Sequence, residues 1–172
     1  MPSELTIRKS LEKKLAPIKM ILLDVDGVLT DGMIIFGSDG TEYRHFDAHD
    51  GFGITRAMSL GLKFAVISGK KSKATELRIA KLGIKELYQN RMDKILVYQK
   101  VKSKYRLKGR EFCFIGDDDF DLPLLKEVGF SAAPIDAMET VRGQVDYVAT
   151  RPGGRGAVRE VIDMILRTKR LL

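Results

Sequence analysis

The chain has no tryptophan, a single cysteine and only five prolines among its 172 residues. One thiol cannot build a disulfide framework within a chain. Cys113 lies inside the apolar run 112–115, where a small buried core residue is the expected role. No stretch approaches the ~20 apolar residues of a membrane span. The first residues, MPSELTIRKSLEKKLAP, hold no apolar signal-peptide segment. These absences predict a reducing, cytoplasmic setting and no membrane partner. The lack of tryptophan, with basic residues scattered rather than interleaved with aromatics, argues against a nucleic-acid partner. His45 and His49 have no metal-ligand spacing with a cysteine, which disfavours zinc.

What is present is charge and apolar segments. Lys and Arg number 30 against 23 Asp and Glu, a net charge of +7, so an anionic partner is expected; nucleic acid, acidic lipid and phosphorylated metabolites all qualify on charge. Residues 3–16 read as an amphipathic helix, capped by Ser3, with Leu5, Ile7, Leu11 and Leu15 roughly on one side and Pro17 ending it. Strands are expected over 18–23, 62–67, 86–88, 112–115, 130–133 and 147–149. Helices are expected over 51–60 (capped by Asp50), 72–82 (closed by Gly83), 92–105, 119–128 (closed by Gly129), 136–142 and 156–168. Residues 33–46 break the alternation: MIIF and TEYRHF flank Gly-Ser-Asp-Gly, a β-hairpin signal. Alternating strands and helices predict an α/β fold: a Rossmann-like three-layer α/β/α sandwich on a parallel sheet, with the hairpin inserted after strand one. Ligands in such folds bind beyond the carboxyl ends of the strands.

Acidic residues gather at those ends. Asp24 and Asp26 follow the first strand, two positions apart and so able to share a side. One carboxylate can attack phosphorus and its neighbour can move protons; two turn-forming aspartates are the plain alternative. Ser68 and Gly69 follow 64–67, a hydroxyl and an amide suited to a phosphate oxygen, with Lys70 and Lys71 next. Asp117, Asp118, Asp119 and Asp121 crowd into five positions after 112–115. Two carboxylates ~4 Å apart repel by about 4 kcal/mol at an effective dielectric near 20, so the loop calls for a cation. All-oxygen ligands suit Mg²⁺, while a favourable helix dipole accounts for Asp119. Lys94, near a helix start, can neutralise a transferred phosphoryl group; a solvated lysine is the plain reading.

Taken together, DVDGVLTDG, VISG, Lys94 and GDDDFD resemble, in that order, the motifs of the haloacid dehalogenase superfamily. The hairpin, AHDGFGI, GDDDFDLPLLKEVG and GGRGAVREV narrow the likeness to its capless 3-deoxy-D-manno-octulosonate 8-phosphate phosphatase family. The resemblance implies one phosphatase domain over 1–172, with Asp24 as nucleophile and Asp26 as general acid/base. It implies Mg²⁺ on the Asp24 carboxylate, the Asp26 carbonyl and Asp117, with Ser68 and Lys94 on the phosphoryl group. Asp121 would orient Lys94, and Asp118 would act through a metal-bound water. It further implies a homotetramer in which a neighbouring subunit completes the site. Gly153–Gly156, read as a flexible turn, carries Arg155 toward an adjacent subunit's sugar-acid carboxylate or phosphate. His49, Asp50, Gly69 and Lys70 are the remaining expected substrate contacts. Lys70 stands where the family often has Arg, and His49 where it often has Arg or Lys, which leaves the sugar acid open: the eight-carbon 8-phosphate is expected first, and a nine-carbon 9-phosphate or small phosphate esters are the alternatives. A non-catalytic phosphosugar-binding module is the rival of another class.

Overall fold

The computed structural model describes residues 4–172, with side chains from residue 9 onward. The Ser3 cap and the side chains of Leu5 and Ile7 lie outside the described residues. In chain order the elements are α1 (Glu4–Leu15), β1 (Met20–Leu23), β2 (Ile35–Phe36), β3 (Glu42–Tyr43), α2 (Ala48–Ser59), β4 (Lys63–Ile67), α3 (Lys73–Leu82), β5 (Glu86–Tyr88) and α4 (Lys94–Tyr105). They continue with β6 (Phe112–Ile115), α5 (Leu122–Glu127), β7 (Phe130–Ala133), α6 (Glu139–Arg142), β8 (Tyr147–Val148) and α7 (Ala157–Thr168).

Six strands form one parallel sheet in the order β5-β4-β1-β6-β7-β8. Period-two alternation sorts its side chains into two cores. Ile21, Leu23, Val66, Cys113 and Ile115 pack with Ile54 of α2 and Val158, Val161, Ile162 and Ile165 of α7. Met20, Leu22, Ala65, Phe112 and Phe114 pack with Val97 and Val101 of α4 and Leu124 of α5. Both faces are thus covered, which is why the strands read as unbroken apolar runs. Cys113 is fully buried, as its apolar neighbours predict.

The register fixes where the sites fall. Leu23 pairs with Val66 on one side and Ile115 on the other, so Asp24, the Ser68 loop and Gly116-Asp117 emerge side by side. The hairpin forms as expected, with Ile35 opposite Tyr43 and Phe36 opposite Glu42.

Several boundaries differ from the sequence reading, each for a local reason. Asp47, not Asp50, caps α2: its carboxylate accepts from His49 N at 2.5 Å and Asp50 N at 3.0 Å. Gly83 closes α3 in the left-handed conformation, as expected. Gly129 does not close α5: extended Val128 ends it, and a Cβ on Gly129 would lie 2.5 Å from Arg110 Cα, so the glycine serves a close backbone approach. The expected helix 119–128 divides into a 3₁₀ turn, Asp119–Asp121, and the short α5.

Candidate active site

Asp24 follows Leu23 on the even-numbered face of β1, the face shared with α4, and is 2% exposed. Asp93 caps α4 by accepting from Ile95 N at 3.1 Å and Leu96 N at 3.3 Å. Lys94 is therefore the first helical residue, with its side chain turned inward beneath the sheet end. Its Nζ lies 2.8 Å from Asp24 Oδ1 and 2.5 Å from Asp121 Oδ1. Both contacts are ion pairs by distance without good hydrogen-bond angles, so the ammonium keeps donor capacity for a third oxygen. The rings of Phe120 and Phe114 flank it at 4.7 and 5.5 Å. The reading of Lys94 as a solvated surface lysine is overturned: it is 2% exposed.

Asp121 is fully buried, and its other oxygen accepts from Asp117 N at 3.0 Å and Asp118 N at 3.4 Å. It thereby holds both the lysine and the acidic loop. Gly27, at φ +82°, provides the approach for Asp117: a Cβ there would sit 2.0 Å from Asp117 Oδ2. Asp118 caps the following turn by accepting from Asp119 N. Asp119 is exposed and accepts from the Thr140 hydroxyl, in keeping with a structural role. Ser68 is buried at the end of β4, with its N bonded to Tyr88 O at 2.8 Å. Asp24, Gly27, Ser68, Asp117, Asp118 and Phe120 line a crevice of about 310 Å³ whose wall also includes Asp26, Gly69, Lys70 and Met92, with Lys94 and Asp121 buried behind Asp24.

Oxygens of Asp24, Asp117 and Asp121 lie within 4.8 Å of one another. Burial first, then the neighbouring carboxylates, pushes Asp117 up to about 8. Burial also raises Asp24 to about 6, with Lys94 opposing. Burial alone would lower Lys94, but Asp24 and Asp121 outweigh it and the ammonium is held more firmly. Three carboxylates around one ammonium leave negative charge uncompensated, and Asp117 Oδ1 is buried with no hydrogen-bond donor among the described residues. Such an orphaned oxygen in a hard-oxygen cluster fits a divalent cation such as Mg²⁺.

A stability prediction follows with a definite sign. Asp24 and Asp117 both hold their protons to higher pH in the fold than an ordinary aspartate, near 3.8, so the folded protein holds protons that the unfolded chain has released. Metal-free protein is expected to lose stability as pH rises from about 5.5 to about 8, since gains from the carboxylates with lowered pKa are complete below that window. Buried Asp50, raised to about 6, adds to the slope without touching the cluster. Saturating Mg²⁺ replaces the protons at the cluster and is expected to raise Tm by about 5–10 °C at pH 8 and far less at pH 5.5. Calorimetry with EDTA or Mg²⁺ reads this; an equal Mg²⁺ effect at both pH values contradicts it.

The expected substrate contacts separate into two places. Ser68, Gly69 and Lys70 line the crevice. His49 and Arg155 instead line a second hollow of about 550 Å³ with Arg151 and Arg159. Asp50, expected at the substrate, is 1% exposed and turned toward α7, accepting from Gly156 N at 3.2 Å and Arg159 N at 2.7 Å. It supplies the cap that α7, begun by Gly156, lacks. The segment 153–156 is not a loose turn. A Cβ on Gly153 would lie 1.8 Å from Gly27 O, and Gly154 N donates to Val28 O at 2.9 Å. Arg155 alone reaches outward, 64% exposed, with Nη2 3.7 Å from Asp31 Oδ2.

Two residues escaped the sequence reading. Arg44 pairs with Asp26, and Glu42 accepts from Arg44 Nε at 2.7 Å. Glu42 and Arg44 lie on one side of the hairpin with Tyr43 on the other, but β3 is only two residues long, so the sequence carried no usable signal for the buried side.

Residues 80–162 match the family described as haloacid dehalogenase-like hydrolase. The chain is 41% identical over 149 residues to the 3-deoxy-D-manno-octulosonate 8-phosphate phosphatase KdsC of Escherichia coli K12, covering 87% of this chain and 79% of that protein. The crystal structure of the corresponding phosphatase from Yersinia pestis superposes with a TM-score of 0.92 at 37% identity, covering 94% of this chain and 87% of that one. The phosphatase from Moraxella catarrhalis, solved in complex with magnesium, phosphate and KDO, gives a TM-score of 0.92 at 35% identity, with 94% and 93% covered. With the acidic crevice at its sheet end and this degree of likeness, the chain belongs to the 3-deoxy-D-manno-octulosonate 8-phosphate phosphatase family of haloacid dehalogenase-like hydrolases.

Proposed function

We propose that residues 1–172 act as one Mg²⁺-dependent phosphatase domain that hydrolyses 3-deoxy-D-manno-octulosonate 8-phosphate to the free sugar acid and inorganic phosphate. The observation that carries this reading is the buried Asp24 carboxylate, open to the crevice and 2.8 Å from Lys94 Nζ. An Asp24 oxygen attacks phosphorus and the ester P–O bond breaks, leaving an aspartyl-phosphate. Asp26 gives a proton to the departing sugar oxygen. It then takes one from the water that attacks the acyl phosphate, and Asp24 is freed as phosphate leaves. Lys94 and the Ser68 hydroxyl hold the non-bridging oxygens, and Asp121 keeps Lys94 in place. Mg²⁺ on the Asp24 and Asp117 carboxylates and the Asp26 carbonyl would offset the repulsion between an anionic nucleophile and an anionic ester. Asp118 would act through a water bound to that ion.

The hairpin supports an assembly. Met33 and Phe36 are 66% and 69% exposed, and Ile35 and Tyr43 are exposed as well, an apolar hairpin surface suited to packing in a homotetramer. In that assembly His49 and Arg155 would reach the sugar-acid carboxylate at a neighbour's crevice. Cytoplasmic sugar synthesis is the setting that suits this substrate.

Phosphate release across a panel of esters tests the substrate. Catalytic efficiency is expected to be at least tenfold higher for the eight-carbon 8-phosphate than for the nine-carbon 9-phosphate or simple esters. A preference for simple esters would overturn the assignment, and binding without turnover would point to a non-catalytic module.

A further inference from the structure

Arg44 rises from the hairpin into the protein, not into solvent: its side chain is 1% exposed. Nη1 meets the Asp26 carboxylate, itself 26% exposed at the crevice wall. Nε donates to Glu42 Oε1 at 2.7 Å, and the same oxygen accepts from Ser72 Oγ at 2.6 Å. Ser72 caps α3 and is tied through its N–H to Gln89 Oε1 at 2.7 Å. A continuous chain of polar contacts therefore runs from the framework of α3, through Glu42 and Arg44, to Asp26.

We propose that Arg44 is a positioning residue, aiming the Asp26 carboxylate at the leaving-group oxygen. The proposal rests on the phosphatase reading above. Three observations carry it. Asp26 lies in the loop after β1, so strand geometry does not hold its side chain. A guanidinium is a rigid, permanently charged fork, suited to fixing a carboxylate's direction as well as its charge. And Arg44 Nη2 is buried with no acceptor among the described residues, a cost that a strut serving stability alone has no reason to carry. Because Arg44 belongs to the hairpin, the same contact links the orientation of the acid to the placement of the insertion.

The test compares two leaving groups. An alkyl phosphate needs its departing oxygen protonated, whereas p-nitrophenolate leaves without that help. Catalytic efficiency reports the steps through leaving-group departure, so it isolates the acid from the later attack of water. Arg44→Gln is expected to lower catalytic efficiency about 100-fold on the sugar-acid phosphate, a size typical of general acid catalysis, but less than about threefold on p-nitrophenyl phosphate. Arg44→Lys, which keeps a charge with shorter reach, is expected to restore most of the loss and to show a smaller preference of the same sign. Melting curves verify that the variants fold, and the Lys variant carries the comparison if the Gln variant does not. Equal losses on the two esters would overturn the role of Arg44 alone. A parent protein that turned over neither ester would instead overturn the phosphatase reading.

Discussion

Asp24→Asn is expected to lower catalytic efficiency by at least about 10³-fold, or about 4 kcal/mol of transition-state stabilisation, without unfolding the protein. An amide in this position cannot form the acyl phosphate, and neither neighbouring carboxylate is placed to replace it: Asp121 is held by the loop amides and Lys94, and Asp117 is the carboxylate proposed to hold the metal. The fold has reason to survive. The Asp24 N–H still reaches Ile115 O at 3.1 Å, and Lys94 keeps Asp121 as its counter-ion. Burial raises the Asp24 carboxyl to about 6, so ionising it at neutral pH costs stability that the amide no longer loses. The variant should therefore melt at or above the parent temperature in EDTA at pH 8 while failing to release phosphate. Turnover at the parent rate would exclude an aspartyl-phosphate mechanism. A lower melting temperature would contradict the electrostatics assigned to the cluster.

The opposition between stability and activity at Asp24 also shows what a sequence can convey. Asp24, Ser68 and Asp117 were legible because each ends an apolar run, and a parallel sheet aligns such ends. Their adjacency depends on the order β4-β1-β6, which no local pattern records. Lys94 read alone resembles any surface lysine, because the partners that bury it lie 70 residues before it, at Asp24, and 27 after it, at Asp121. The sequence DAHD offers two capping aspartates within four positions, and local rules cannot choose between them. The choice falls to Asp47 because Asp50 is drawn to the N-terminus of α7, more than a hundred residues away. Gly153 looked like a source of flexibility. Its lack of a side chain instead admits the Gly27 carbonyl, so the glycines of the two loops pack the site together. Arg44 was lost among 30 basic residues, because a two-residue strand is too short for alternation to identify a buried face.

Lys94→Met tests the other half of the cluster and should damage both properties. The thioether fills much of the same apolar space between Phe114 and Phe120, so packing is largely kept while charge is lost. The carboxylates of Asp24, Asp117 and Asp121 are then within 4.8 Å of one another with no ammonium among them. Removing one partner of a buried pair costs about 3–5 kcal/mol, which corresponds to a fall in Tm of about 10 °C for a chain of this size. Protonation relieves the repulsion, so the fall should be small at pH 5.5 and full at pH 8 in EDTA. Mg²⁺ should recover part of the stability, because the cation can neutralise the same carboxylates. It should not recover turnover, which is expected to stay at least about 10²-fold below the parent if Lys94 donates to the phosphoryl oxygens as proposed. Adding Asp24→Asn to Lys94→Met removes one of the repelling charges. The pair should therefore melt above Lys94→Met alone by more than Asp24→Asn raises the parent, and that excess is a coupling that additive contributions would not produce. If Lys94→Met melted like the parent at pH 8 without metal, the ammonium would not be compensating the cluster, and the charge balance assigned to this site would be wrong.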